Sequence, residues 1–275
     1  SNHFVMDSFT IELVSNASFN CFPDNTLSSF SNFLPEQINL DGQWEVAISE
    51  LSYPSMYQNI TLGKFFYTEF SKEATEPPEP YTLKPGLYTS ISEIINAMND
   101  LISDRMKRNE KYITAHVDKI TQQVNISLRK DISSLVFCSN VLTYIFGVES
   151  LEPDSGLLMY GIGPHKNQLA YDIVRIHSLM IYSDLVEYNI IGDTKAPLLR
   201  CIPFISKIEN GDVITTGQYM NYQTFSNLQF KRLLKNTFHS IKIELRDSTG
   251  EKIPFVSVGI TRVTLMFRKI SNNHF

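Results

Sequence analysis

Apolar and polar positions alternate at period two through most of this chain, and one long stretch switches to a helical period. Ser8–Val14 (SFTIELV) sets Phe9, Ile11 and Leu13 on one face and Thr10 and Glu12 on the other, which predicts a half-buried strand. A Pro-Asp-Asn turn at Pro23–Asn25 separates it from a short Phe-rich run, Ser28–Leu34. Asp41-Gly42 is a tight-turn signal leading into Gln43–Tyr53, where Trp44, Val46 and Ile48 alternate with polar partners until Pro54 ends the run. Strands return late in the chain: Asp172–Val186, Leu198–Ile205, Tyr222–Phe230, His239–Arg246 and Val256–Arg268, with Thr249-Gly250 as the last turn.

The texture between these two sets is different. Glu73–Pro80 (EATEPPEP) cannot pair regularly and reads as an exposed linker. Ser90 and Glu93 have capping-box spacing, and Ile91, Ile94, Ile95, Met98, Leu101 and Ile102 recur on one helical face. Arg105, Lys107 and Arg108 sit at the C-terminal end, where the helix dipole favours cations. Tyr112–Val117 and Gln123–Leu128 flank Asp118-Lys119 as a hairpin. Val141–Phe146 reads as a short helical turn, capped by Ser139 or Asn140 and stopped by Gly147.

Three strands precede this mixed segment and about five follow it. Eight short antiparallel strands predict an all-β two-sheet sandwich or barrel. A jelly roll needs roughly 150–180 residues, so it leaves roughly 100 over in a chain of this length. The expected organisation is a jelly-roll domain at 5–64 and 169–270, with an α+β domain at 65–168 inserted after the third strand. That insertion carries one amphipathic helix near 90–104.

Composition narrows the function. Hydrophobic residues at 43% against 19% charged supply a packed core and exclude a disordered chain. A net charge of −5 offers no cationic excess for coating nucleic acid. No apolar stretch is long enough for a transmembrane helix, and residues 1–10 lack the basic start and apolar block of a signal peptide. Cys21, Cys138 and Cys201 are widely spaced and read as buried free thiols from a reducing compartment. The sequons at Asn16, Asn59 and Asn125 are expected to be chance matches.

Candidate chemistry is sparse. The six histidines (His3, His116, His165, His177, His239, His274) form no His-x-His or His-x-x-x-His pair, and no cysteines have zinc spacing. There is no Gly-x-Ser-x-Gly elbow, and Gly161-Ile162-Gly163 runs into Pro164 rather than opening a phosphate-binding helix. Glu187, Asp193, Glu244 and Asp247 lie near strand ends, where solvated charge is the default. The Arg105–Lys111 cluster reads as a solvated helix end. No catalytic, cofactor-binding or metal-binding residue is expected, and the chain is not expected to be an enzyme. A β-sandwich receptor- or glycan-binding spike domain is the alternative reading, with a glycoside-active or cupin-like enzyme behind it.

Several blocks carry a resemblance. Ser8–Asn20 (SFTIELVSNASFN), Phe22–Leu27 (FPDNTL) and Leu40–Tyr57 (LDGQWEVAISELSYPSMY) closely resemble the opening of the penton, or minor capsid, proteins of the Polinton/Maverick and adintovirus group. Tyr81–Leu101, Ile181–Arg200 (IYSDLVEYNIIGDTKAPLLR) and His239–Arg268 resemble further blocks of that family, in order along nearly the whole chain. The resemblance implies a single jelly roll, related to virophage pentons, that forms homopentamers capping the five-fold vertices of an icosahedral virion. It implies the major capsid protein of the same particle as a partner, no specific nucleic acid, and a host receptor reached through the insertion. Synthesis in the host cell without a signal peptide follows. Met159-Tyr160-Gly161-Ile162-Gly163 is similar to an adenovirus-type maturation-protease site, with Met159, Gly161, Ile162 and Gly163 as its recognition residues and cleavage after Ile162.

Overall fold

The computed structural model describes residues 7–69, 79–130, 132–148, 158–161, 170–204, 208–209, 212–213 and 219–271. In chain order the elements begin with strands β1 (Ser8–Val14), β2 (Ser29–Asn39) and β3 (Trp44–Pro54). There follow β4 (Gly63–Glu69), β5 (Tyr81–Leu83), helix α1 (Ile91–Met106), β6 (Ile113–Val117), β7 (Val124–Leu128), β8 (Ile132–Phe137), helix α2 (Asn140–Phe146) and β9 (Leu158–Gly161). Next come β10 (Ser178–Ser183), β11 (Asn189–Ile191), β12 (Thr194–Ala196), β13 (Leu198–Pro203), β14 (Ile208–Glu209) and β15 (Asp212–Val213). The chain closes with β16 (Met220–Thr224), β17 (Lys231–Arg232), β18 (Thr237–Arg246) and β19 (Arg262–Lys269). The residues divide into two compact units, one of 1–57, 176–206 and 216–275, the other of 58–175 and 207–215.

The first unit is a jelly roll. One sheet runs β1-β19-β3-β16, with β17 added to β3, and the other runs β13-β10-β18-β2. Leaving aside β17 and the small hairpins, these eight strands taken in sequence give the orders 1-8-3-6 and 5-4-7-2. That is the two-Greek-key order of the fold. Every pairing is antiparallel. Period-two patterning places Leu13, Val46, Ile48, Leu51, Val263, Leu265 and Phe267 inside one sheet, and Phe30, Leu179, Ile181, Ile241, Ile243 and Leu245 inside the other, all essentially inaccessible. Aromatic rings form two clusters: Phe9 stacks on Phe267 at 4.7 Å and packs beside Trp44 at 5.5 Å, while Phe204 meets Tyr53 at 5.5 Å and Tyr57 at 5.1 Å.

Several strands are shorter than their hydrophobic runs. The run Asp172–Val186 forms strand only from Ser178, because Arg175 adopts a left-handed backbone (φ 63°) and its N–H donates to the Asp172 carboxylate at 2.9 Å. Strand β16 stops at Thr224, well before Phe230. The run from Val256 pairs only from Arg262, since Gly259 takes φ +84° with Met220 packed where a Cβ would stand. The hairpin β11–β12 had no strand expectation; Gly192-Asp193 turns it.

The second unit holds a sheet ordered β5-β4-β8-β9, the hairpin β6–β7 and both helices. Strands β4, β5 and β8 were not anticipated, and the linker reading at Glu73–Pro80 lies largely outside the described residues. Ser90 caps α1 by accepting the Glu93 N–H at 3.1 Å. The Glu93 carboxylate reaches one residue further back than a capping box, taking the Thr89 N–H at 2.7 Å and the Thr89 hydroxyl at 2.6 Å. Ser139 caps α2, and Gly147 closes it in the left-handed conformation. The apolar stripe of α1 (Ile91, Ile94, Ile95, Met98, Ile102) joins Phe65, Leu83, Leu135, Phe137, Ile145 and Phe146 in a separate core.

Asn59 sits in this core with no accessible surface. Its amide donates to the carbonyls of Tyr88 (2.8 Å) and Ile173 (2.9 Å) and accepts the Tyr88 N–H (2.8 Å). The side chain of this sequon is thus fully engaged. Asn59→Ala removes the partner of the buried Ile173 carbonyl and of the part-buried Tyr88 N–H and carbonyl, and is expected to cost roughly 2–4 kcal/mol. Urea unfolding followed by circular dichroism reads that loss; an unchanged midpoint refutes the structural role.

Candidate assembly interface

A sandwich of two sheets ends in two flanks, and the side chains that point inward at those flanks have no strand beyond them to pack on. Among the described residues, at the first flank β1 pairs only with β19 and β2 only with β18. Asn32 on β2 points inward and spans the gap: its carbonyl oxygen accepts the Val14 N–H and its amide donates to the Val14 carbonyl, both at 2.8 Å. Asn25 fastens the connecting loop, donating to the carbonyls of Ala17 (3.0 Å) and Ser31 (2.9 Å) and accepting the Ser31 N–H (2.9 Å). Pro35 and Glu36 lie within β2, so part of its outer edge cannot add another strand readily.

The second flank joins β13 to β16 and has a different chemistry. Arg200 on β13 lays its guanidinium over the Phe225 ring at 4.0 Å and donates from Nη1 to the Asn227 carbonyl at 2.7 Å. Among the described residues its buried Nε has no acceptor, and the buried Gln223 Oε1 on the facing β16 has no donor. Burial lowers the Arg200 guanidinium from its ordinary value. Tyr219 and Tyr222 stand largely exposed beside these groups.

The outer sheet faces are polar. Arg262 pairs with Glu12 and Arg268 with Glu45 across one sheet, and Lys242 and Arg246 bracket Glu244 on the other. Exposed pairs of this kind contribute little to stability individually. The β11–β12 hairpin adds Tyr188 and Ile190, which are 63% and 75% exposed and hence available to a partner.

The residues weighed for other chemistry are dispersed. Among the described residues no three His, Cys, Asp or Glu side chains converge as a metal site. Cys21 and Cys201 are exposed rather than buried, and Cys138 is half-buried; all three are free thiols. Burial raises the Cys138 thiol, with the charge of Lys64 partly opposing it. The cation cluster at the end of α1 is in part structural: Arg105 stacks on Tyr81 at 3.6 Å and donates to the carbonyls of Glu79 (2.8 Å) and Pro80 (3.0 Å). Of the protease-site residues, Met159 and Gly161 lie on β9, paired through the backbone with Val136 and Ser134; Ile162 and Gly163 lie outside the described residues. Among the described residues, no helix is long and apolar enough to cross a membrane.

Sequence reasoning did not find Asn25, Asn32, Arg200 or Gln223. Asn32 and Gln223 were legible only as polar residues breaking an apolar face, a signal that does not say what they reach.

No protein-family model matches the chain. No curated protein matches it either. Among solved structures it is similar to the crystal structure of selenomethionine-labelled mavirus penton protein. The identity is 12%, the TM-score is 0.42, and the match covers 96% of this chain and 100% of that one.

Glu244 provides a pH test. Burial raises its carboxyl, and the hydrogen bonds and charges of Lys242 and Arg246 outweigh that, leaving it below its ordinary value. A carboxylate depressed on folding stabilises the protein above its unfolded pKa, and that contribution is lost as pH falls through the folded one. Glu244→Gln is therefore expected to lower the melting temperature at neutral pH, with the gap closing in acid. A gap that stays constant down to acid pH contradicts this assignment.

Proposed function

We propose that this chain is a structural capsid protein of the penton type, without catalytic activity, which forms homopentamers at the five-fold vertices of an icosahedral virion. The observation that carries the reading is the jelly-roll strand order combined with family-like blocks running in sequence from Ser8 to Arg268. The fold hosts unrelated functions, so the blocks supply the specificity to the Polinton/Maverick and adintovirus group. In chain order, residues 58–175 fall between the third and fourth jelly-roll strands, which agrees with an insertion of the virophage type. We assign to that insertion the contact with a host receptor, and to the jelly roll the contact with the major capsid protein.

A ring of five copies needs two unlike patches, each meeting the other on the neighbouring copy. The two flanks meet that requirement: the β1–β2 flank is clasped by amides and the β13–β16 flank is cationic and aromatic. A stable contact buries roughly 1,200–2,000 Å² in total. Native mass spectrometry of the full chain, alone and co-expressed with the major capsid protein, is expected to give five-fold species or vertex incorporation. A persistent monomer absent from the particle overturns the reading. Thr10→Arg blocks one flank and Tyr222→Arg the other, at exposed positions that leave the monomer folded. Each variant alone is expected to stay monomeric, and their mixture is expected to give dimers without rings. Rings from either variant alone rule out this pairing of flanks.

The reading includes processing after Ile162. Among the described residues strand β9, which ends one residue before Ile162, lies at the edge of its sheet, and an extended edge is a conformation suited to recognition by strand addition. Incubation with the cognate maturation protease is expected to divide the chain after Ile162 by intact mass. An uncut chain ends that part of the proposal.

A further inference from the structure

The end of the jelly roll remote from β1's first residue carries an open cleft of about 710 Å³ between the β1–β2 loop and the β18–β19 loop. Its floor is apolar, formed by Ile253, Pro254 and Phe255, and its rim carries Asn16, Phe19, Asp24 and Lys252. We infer that this cleft is a saccharide-binding site.

The walls are already built. Ser15 exchanges backbone and side-chain hydrogen bonds with Thr261, its N–H donating to the Thr261 carbonyl at 2.9 Å and its hydroxyl accepting the Thr261 N–H at 3.0 Å. The Thr261 hydroxyl donates to the Leu27 carbonyl at 2.6 Å, and Asn25 spends its whole amide on Ala17 and Ser31. The Ser18 hydroxyl, on a residue with a left-handed backbone (φ 62°), accepts the Phe33 N–H at 2.9 Å. A loop tied at this many points loses little further freedom when a ligand arrives.

What the walls leave unused defines the ligand. The side chains of Asn16, Asp24 and Lys252 are exposed and have no hydrogen bond or ion pair with any described residue. Phe19 is 48% exposed, a large apolar ring at the mouth of the cleft. One carboxylate and one ammonium cancel, so the cleft does not select phosphate or nucleic acid, which would need several cations. A pyranose offers an apolar C–H face for the Phe19 ring and a rim of hydroxyls, each both donor and acceptor, for Asp24 and Asn16. Shape agrees as well: an open, mixed cleft takes a ring from the surface, while drug-like apolar ligands need enclosure. Lys252 then distinguishes sugars that carry a carboxylate from neutral ones.

This inference does not rest on the capsid reading, and its test uses no assembly readout, so either can fail alone. Saturation-transfer NMR on the full chain with lactose, chitotriose and 3′-sialyllactose, each up to about 10 mM, is expected to show binding of at least one. Phe19→Ala and Asp24→Asn, both at exposed positions, are each expected to weaken that binding at least about tenfold. Lys252→Ala is expected to weaken 3′-sialyllactose selectively if the acidic sugar is the one bound. No response to any of the three sugars overturns the inference, as does a response that both substitutions at Phe19 and Asp24 leave unchanged.

Discussion

The structure depends on one recurring interaction, a buried or half-buried asparagine whose side chain replaces a missing stretch of backbone ladder. A sheet edge or a chain reversal leaves N–H and C=O groups without partners, and burying them unpaired costs about 1–3 kcal/mol each. An asparagine amide carries one acceptor and two donors at the spacing of a peptide group, so it satisfies both kinds at once. Asn32 does this across the first flank, Asn25 within the adjoining loop, Asn59 at the entry of the second unit, and Asn99 on α1 against the start of β6. Each binds N–H and C=O together, which an aspartate could not do when ionised.

The same constraint explains why the two flanks differ. Asn32 clasps the first flank with two neutral hydrogen bonds to Val14. Arg200 closes the second with a cation stacked on Phe225, and among the described residues its Nε and the Gln223 oxygen have no partner. A closed ring of identical copies is possible only when two such surfaces are unlike and complementary, and that asymmetry within the sandwich is the basis of the assembly proposed above. The loops at the end of the sandwich follow the opposite logic. Asn25, Ser15 and Thr261 tie their backbone at several points, and the exposed side chains of Asn16, Asp24 and Lys252 have no partner among the described residues.

Much of the architecture was legible before any coordinates. Ser8–Val14 matched its strand because Phe9, Ile11 and Leu13 alternate with Thr10 and Glu12 and the polar Asp7 and Ser15 flank the run. Ser90 was readable as a cap because the chemistry of a helix end is local. The failures are instructive in the same terms. Asp172–Val186 looked like one long strand because hydrophobicity records burial, and Ile173 and Ile176 are buried, but Arg175 turns the chain between them. Strands β4 and β8 went unrecognised although Phe65, Leu135 and Phe137 are fully buried, since short mixed runs pair only when a distant partner is present.

By itself, the sequence determined the fold class and the first helix with its cap. These follow from periodicity, turn chemistry and composition, all of which act over a few residues. Only the tertiary structure decided which strands are neighbours, where each hydrophobic run stops pairing, and what the inward-facing Asn32, Asn59, Arg200 and Gln223 do. Those outcomes depend on groups that are far apart in the chain, such as Asn59 and Ile173 or Ser15 and Thr261. The cleft belongs to the same category, since its two walls, Ser15–Ser28 and Lys252–Gly259, lie more than two hundred residues apart in the chain.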